Sequence, residues 1–143
     1  MQRKLTPEGM IKRDVKQILR VLNFRVWNNL QMLGCEKGIP DLMAVRKIKE
    51  SEFKKMVTDE VSTHYMGTSD MLIERIYNIL EKEGAMVLFL PIEVKTEKGK
   101  LSPYQEKFLG ELEEQGCKVV VARSADDILE GVEKICGQYK LWK

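Results

Sequence analysis

The most apolar stretch of this chain, MVLFLPIEVKT, has an acid and a lysine set into it. Its valines, leucines, phenylalanine and isoleucine predict a buried strand. Pro91 inside it predicts a local irregularity such as a bulge, because proline gives the ladder no N–H. Successive strand side chains point to opposite faces, so Glu93 and Lys95 share one face while Ile92 and Val94 take the other. A charge in a buried strand is costly unless it is paired or bound to a metal. One reading of this acid-x-lysine is a cross-strand salt bridge at a sheet edge, and the other is a place where chemistry is done.

The remaining pattern supplies a frame around that strand. Thr6-Pro7-Glu8 reads as a helix start, with Thr6 as N-cap and Pro7 at the first helical position. Ile11, Val15, Ile18, Leu19 and Leu22 then recur at helical spacing and predict a helix over about residues 7–22. FRVWNN alternates like a strand, with Trp27 expected in the core, and IPDLMAV after the Gly34 and Gly38 loop predicts a second strand containing Asp41. Residues 46 to about 85 are charged and helical in pattern. SEFKKMVTDEV predicts one short helix, and Leu72, Ile76, Ile79 and Leu80 predict the buried face of another that Gly84 caps. After MVLFLPIEVKT, Ser102-Pro103-Tyr104-Gln105 forms a capping box ahead of a helix that buries Phe108, Leu109 and Leu112 and ends near Gly116. CKVVVAR predicts a further buried strand. Ser124 and Asp127 then open a last helix carrying Ile128, Leu129, Val132 and Ile135, which Gly137 closes. A strand–helix–strand unit of this kind favours a parallel crossover. The expected fold is α/β: one domain over residues 1–143, with a mixed central sheet flanked by helices. A helical insertion of about residues 46–85 separates the Asp41 strand from the Glu93 strand.

Composition narrows the chemistry. Three cysteines, Cys35, Cys117 and Cys136, are odd in number and form no CxxC, which argues against a disulfide framework or a zinc site. His64 is the only histidine, so any metal would be held mainly by oxygen, as magnesium or manganese is. No apolar run is long enough to span a bilayer, and the first ten residues lack the apolar core of a signal peptide. The expected location is the cytoplasm, that of the host cell if the gene is viral. The net charge is only +2, so a polyanionic partner would require the lysines and arginines to be gathered on one face.

If the strand of Asp41 pairs beside that of Glu93, two carboxylates and one ammonium converge. That grouping suits phosphodiester hydrolysis. Two acids can hold a magnesium ion that polarises the phosphate, and the lysine can orient the attacking water or steady the developing charge. Lys98 and Lys100 flank Gly99 in the turn after the strand. With Lys37, Lys118 and Arg123 they are candidate phosphate contacts, each weighed against plain solvated charge. Arg3, Lys4, Lys12, Arg13 and Lys16 make the N-terminal region basic, and Trp142 is unassigned.

GIPDLMAV, IEVKTEKGKLSPYQEKFL and GCKVVVARSADDI together resemble the VRR-NUC branch of the PD-(D/E)xK nuclease superfamily. The resemblance covers roughly residues 34–45 and 91–128 with the first helix, and is densest in IEVKTEKGKLSPYQ. It implies a restriction-endonuclease-like core. By position it implies Asp41 and Glu93 as metal-binding acids, with the Val94 carbonyl as a further ligand, and Lys95 as the catalytic lysine. Gln105 resembles the family's active-site glutamine, although the capping box explains it equally well. Glu8 resembles the acid of the family's first helix, although a first-turn acid also favours the helix dipole. Asp14 is a weaker candidate for that role. The activity implied is a magnesium-dependent endodeoxyribonuclease, with manganese as substitute, acting on branched DNA such as a four-way junction. Resolving a junction asks for a homodimer. The alternatives are a less selective endonuclease or nickase, a catalytically silent nucleic-acid-binding module of the same fold, or an unrelated protein with a chance acid-x-lysine. The connection between Asp41 and Glu93 is longer than the family usually has.

Overall fold

The computed structural model describes residues 4–30, 34–61 and 70–136. Arg3, His64, Gly137 and Trp142 lie outside the described residues, as does the side chain of Cys136. The elements are α1 (Pro7–Val21), β1 (Arg25–Asn28), β2 (Leu42–Lys47), α2 (Glu50–Val61), α3 (Asp70–Lys82), β3 (Val87–Val94), α4 (Pro103–Glu114), β4 (Val120–Ala122) and α5 (Ala125–Cys136). The four strands form one sheet in the order β1-β2-β3-β4. β1 runs antiparallel to β2, and β3 runs parallel to β4, so the sheet is mixed and the fold is α/β as the sequence predicts. The chain divides into two compact units, one of Met1–Arg46 with Phe89–Leu129 and one of Lys47–Leu88 with Glu130–Lys143. No helix among the described residues is long and apolar enough to cross a membrane.

In the first unit α1 starts where its cap dictates, the Gly9 N–H donating to the Thr6 hydroxyl at 3.1 Å. Val15 and Leu19 turn its apolar stripe inward to join Phe24, Leu42, Ala44, Leu90, Ile92, Val94, Leu109 and Ile128 in the core. Pro91 sits inside β3, fully buried. The ladder to β4 begins at Ile92, one residue later, so the missing N–H costs that ladder nothing. Trp27 departs from expectation: it stands 40% exposed, with its ring 6.4 Å from that of Phe89. β1 is a short edge strand whose alternation sends Phe24 and Val26 inward and Arg25 and Trp27 outward.

The second unit contains the stretch expected as an insertion. SEFKKMVTDEV falls within α2, and Gly84, at φ +73°, follows α3. The buried face of α3 is not the expected one. Ile73 and Tyr77 are buried, while Leu72, Ile76 and Ile79 are 49%, 41% and 62% exposed. The helix carries two apolar stripes, and the one that turns inward holds the large aromatic. The Tyr77 ring lies 5.8 Å from Phe53, and its hydroxyl donates to the Ile48 carbonyl at 2.8 Å, so a buried ring keeps its polar end satisfied.

Candidate active site

Glu93 is the centre of the site. β3 carries it into the core, where its side chain is 2% exposed. Its Oε1 accepts from Gln105 Nε2 at 2.6 Å and lies 3.2 Å from Lys95 Nζ. Its Oε2 is buried and has no hydrogen-bond partner among the described residues. Burial, and then the neighbouring Asp41 charge, push its carboxyl up to about 7 against the opposing pull of Lys95. A carboxylate buried with one oxygen unsatisfied is expensive, and the protein alone does not relieve it.

Asp41 reaches Glu93 through the backbone. Its Oδ2 accepts from the Val94 N–H at 2.9 Å, across 53 positions of sequence. The long connection therefore leaves the two acids together. Asp41 is not inside a strand, however, because β2 begins at Leu42. The end of β1 pins the residue instead: the Asn29 N–H donates to the Asp41 carbonyl at 2.9 Å, and Asn29 Nδ2 donates to the Pro40 carbonyl at 2.8 Å. Lys95 likewise lies just past the last residue of β3. Its N–H donates to the Ala122 carbonyl at 3.0 Å, which carries the β4 ladder one step further and holds its side chain on the face of Glu93.

Gln105 caps α4 and also reaches Glu93. Its Oε1 accepts from the Ser102 N–H at 2.9 Å, its own N–H donates to Ser102 Oγ at 3.2 Å, and its Nε2 donates to Glu93. The capping box thus aims the amide at the carboxylate. Loop and helix are locked at this point. Gly38, at φ +87°, has backbone so close to α4 that a Cβ there would lie 2.2 Å from the Tyr104 carbonyl oxygen.

Lys12 is the member of the group that motif reading does not single out. From α1 its Nζ stands 3.7 Å from Asp41 Oδ1. Within the basic N-terminal stretch, its place four residues after Glu8 is the one available signal. Glu8 lies on that same face of α1, exposed, and makes no hydrogen bond or ion pair among the described residues. Asp14 is engaged by the Arg13 guanidinium at 2.9 Å. Among the described residues no group of three or more histidines, cysteines and acids gathers, and Asp41 and Glu93 stand as a pair.

The basic residues divide. Lys98, Lys100 and Lys118 are exposed. Lys37 Nζ lies 4.8 Å above the Tyr104 ring. Arg123 is turned inward on the chain: its Nη1 donates to the carbonyls of Thr96, Glu97 and Gly99 at 2.6, 3.2 and 2.7 Å. It clamps the turn that bears Lys98 and Lys100.

The family model for the VRR-NUC domain matches residues 6–126, most of the chain. No curated protein and no solved structure matches it.

Proposed function

The chain belongs to the VRR-NUC domain family, and from that premise we propose that it is a magnesium-dependent endodeoxyribonuclease acting on branched DNA. Membership carries nuclease-type function and DNA binding; the metal, the residue roles and the substrate are argued from the site. The observation that carries the reading is Glu93: a buried carboxylate beside Asp41, with one oxygen lacking a partner among the described residues. A hard divalent cation is what such a pair of oxygen donors fits. Asp41 and Glu93 would hold it, with the Val94 carbonyl as a further donor. Magnesium bound there supplies a Lewis acid for the phosphate and lowers the pKa of a coordinated water, and manganese can substitute.

The chain's own residues do the rest. Gln105 and Lys95 fix Glu93 Oε1, which would leave Oε2 to a bound cation. Lys95 orients the attacking water and steadies the charge that gathers on the phosphate. The water oxygen bonds to phosphorus and gives up a proton to solvent as the bond to one sugar oxygen breaks, and that oxygen takes a proton from solvent as it leaves. Lys98 and Lys100 hold the DNA by its phosphates, which gives sequence-neutral binding. Cutting two symmetric strands of a four-way junction calls for a second copy related by a two-fold axis.

Cleavage of labelled four-way junction, flap and linear duplex, with and without magnesium, tests this. Lys95→Ala should fold, by circular dichroism, and cleave at least about a hundredfold more slowly. Paired symmetric cuts in the junction support the dimeric resolvase. Equal cutting of every substrate leaves a less selective endonuclease, and binding without cutting leaves the silent module.

A further inference from the structure

Beside the carboxylate pair, the first turn of α4 and the loop before Asp41 enclose a hollow of about 280 Å³, with Lys37, Gly38, Tyr104 and Gln105 among its lining residues. We propose that this hollow receives one unpaired nucleobase of the bound DNA, stacked on the Tyr104 ring, with Lys37 on the adjoining phosphate. The inference rests on the nuclease reading and adds to it the feature of DNA that is recognised.

Four observations converge on a base. Tyr104 is 56% exposed, which is not the state of a core aromatic; the Lys37 ammonium stands 4.8 Å over its ring, and a base would stack there as that ammonium swings out to the adjoining phosphate. Gln105 lines the hollow and also donates to Glu93, so an occupant sits one side chain from the carboxylate pair. The backbone that carries the ring is held in place: Gly38 and the Tyr104 backbone are packed so tightly that a Cβ would not fit, so the wall of the hollow is built before any ligand arrives. The charge is balanced, because Glu36 shares the rim with Lys37. That suits a flat neutral ring and disfavours a bare phosphate in the hollow, leaving Lys37 to meet phosphate at the edge. The volume lies below the usual range of about 300–1,000 Å³ for whole small-molecule pockets, which is scale enough for one base.

A base within a duplex is paired and stacked on both faces, and withdrawing it is costly. A base at a flap, nick or junction is already free. The subsite therefore selects branched DNA by admitting a base that intact duplex withholds.

The test measures binding of full-length protein to flap, four-way junction and blunt duplex by fluorescence anisotropy, in chelator so that nothing is cut. Tyr104→Leu should weaken binding to the branched DNAs by about five- to a hundredfold, the usual scale of one lost base stack. It should leave duplex binding alone, while Tyr104→Phe keeps the affinity. An abasic nucleotide moved along the strand should at one position reproduce the loss in wild type and cause no further loss in Tyr104→Leu. Equal affinity of wild type and Tyr104→Leu for branched DNA overturns the subsite, as does an equal loss on duplex or additivity at every abasic position. Each of these leaves the nuclease reading standing. Wild type that neither binds nor cuts any DNA overturns both.

Discussion

Replacing Glu93 by glutamine should stabilise the protein at alkaline pH while it stops cleavage. The carboxyl is pushed from 4.5 up to about 7, chiefly by burial and then by the Asp41 charge. Below pH 4.5 the group is protonated in folded and unfolded chains alike and contributes nothing. Between 4.5 and 7 the unfolded chain gives up the proton while the fold retains it, so stability falls as pH rises. Above 7 the penalty is fully developed, about 3 kcal/mol at 1.36 kcal/mol for each unit. Glutamine keeps an acceptor for Gln105 and Lys95 and carries no charge, so it escapes that penalty. For a chain of this size the gain at pH 8 is roughly 6–12 °C in melting temperature, shrinking to nothing near pH 4.5. Thermal melts of both proteins from pH 4.5 to 8.5, in chelator, measure it. Magnesium should then close the gap at pH 8 by raising wild type and leaving Glu93→Gln unmoved. A variant that melts below wild type at pH 8, or a difference that ignores pH, would refute the account of Glu93 as a buried charge awaiting a cation.

Other residues carry their own expectations. Gly38→Ala should lose roughly 2–5 kcal/mol by urea titration, since it adds a left-handed strain to a clash with the Tyr104 backbone; a loss within about 0.5 kcal/mol would show that the loop and α4 are not locked. Gln105→Ala should cost about 1–2 kcal/mol for the cap and slow cleavage as well, because one side chain serves both; full activity at reduced stability would leave it a cap only. Lys98→Ala and Lys100→Ala should each lower the slope of log affinity for DNA against log salt by about 1. Arg123→Ala should lower that slope by less than either lysine change, its Nη1 being turned to three carbonyls. Lys12→Gln should tighten magnesium binding, read by calorimetry, since it removes the cation standing 3.7 Å from Asp41; weaker binding would make Lys12 a support for the site and not a competitor.

What the sequence shows of this site follows from how local each signal is. Glu93 and Lys95 are legible because a charge in a buried strand is conspicuous against its own neighbours, and strand alternation alone puts them on one face. The α4 start is legible because a capping box is complete within four residues. The meeting of Asp41 with Val94 across 53 positions is not local; strand pattern offers it only on the condition that the two strands pair, and the family resemblance supplies that condition. The same limit hides Lys12, which looks like any other cation on the exposed side of α1 until the packing of that helix brings it to Asp41. Nor does the sequence show that Arg123, a basic residue near the site, also holds the backbone carbonyls of Thr96 and Gly99 through Nη1. In α3 the helical period is plain, yet two apolar stripes satisfy it, and the inward one is selected by a hydroxyl partner for Tyr77 that lies 29 positions away.

The placement of Gln105 shows why the local and the distant signals belong to one site. A glutamine that only capped α4 would have no need of a free amide, and one that only served Glu93 would have no need of the Ser102 backbone. Doing both, it transmits the position of the helix start to the carboxylate. Gly38 fixes that same helix start against the loop leading to Asp41. The two acids are thus held from both ends of one short path, Asp41 through its loop and Glu93 through Gln105. The Asp41 charge raises the proton affinity of Glu93, and the two side chains would otherwise drift apart in the absence of a cation. Rigid backbone contacts, with Lys12 and Lys95 as counter-charges, keep them together.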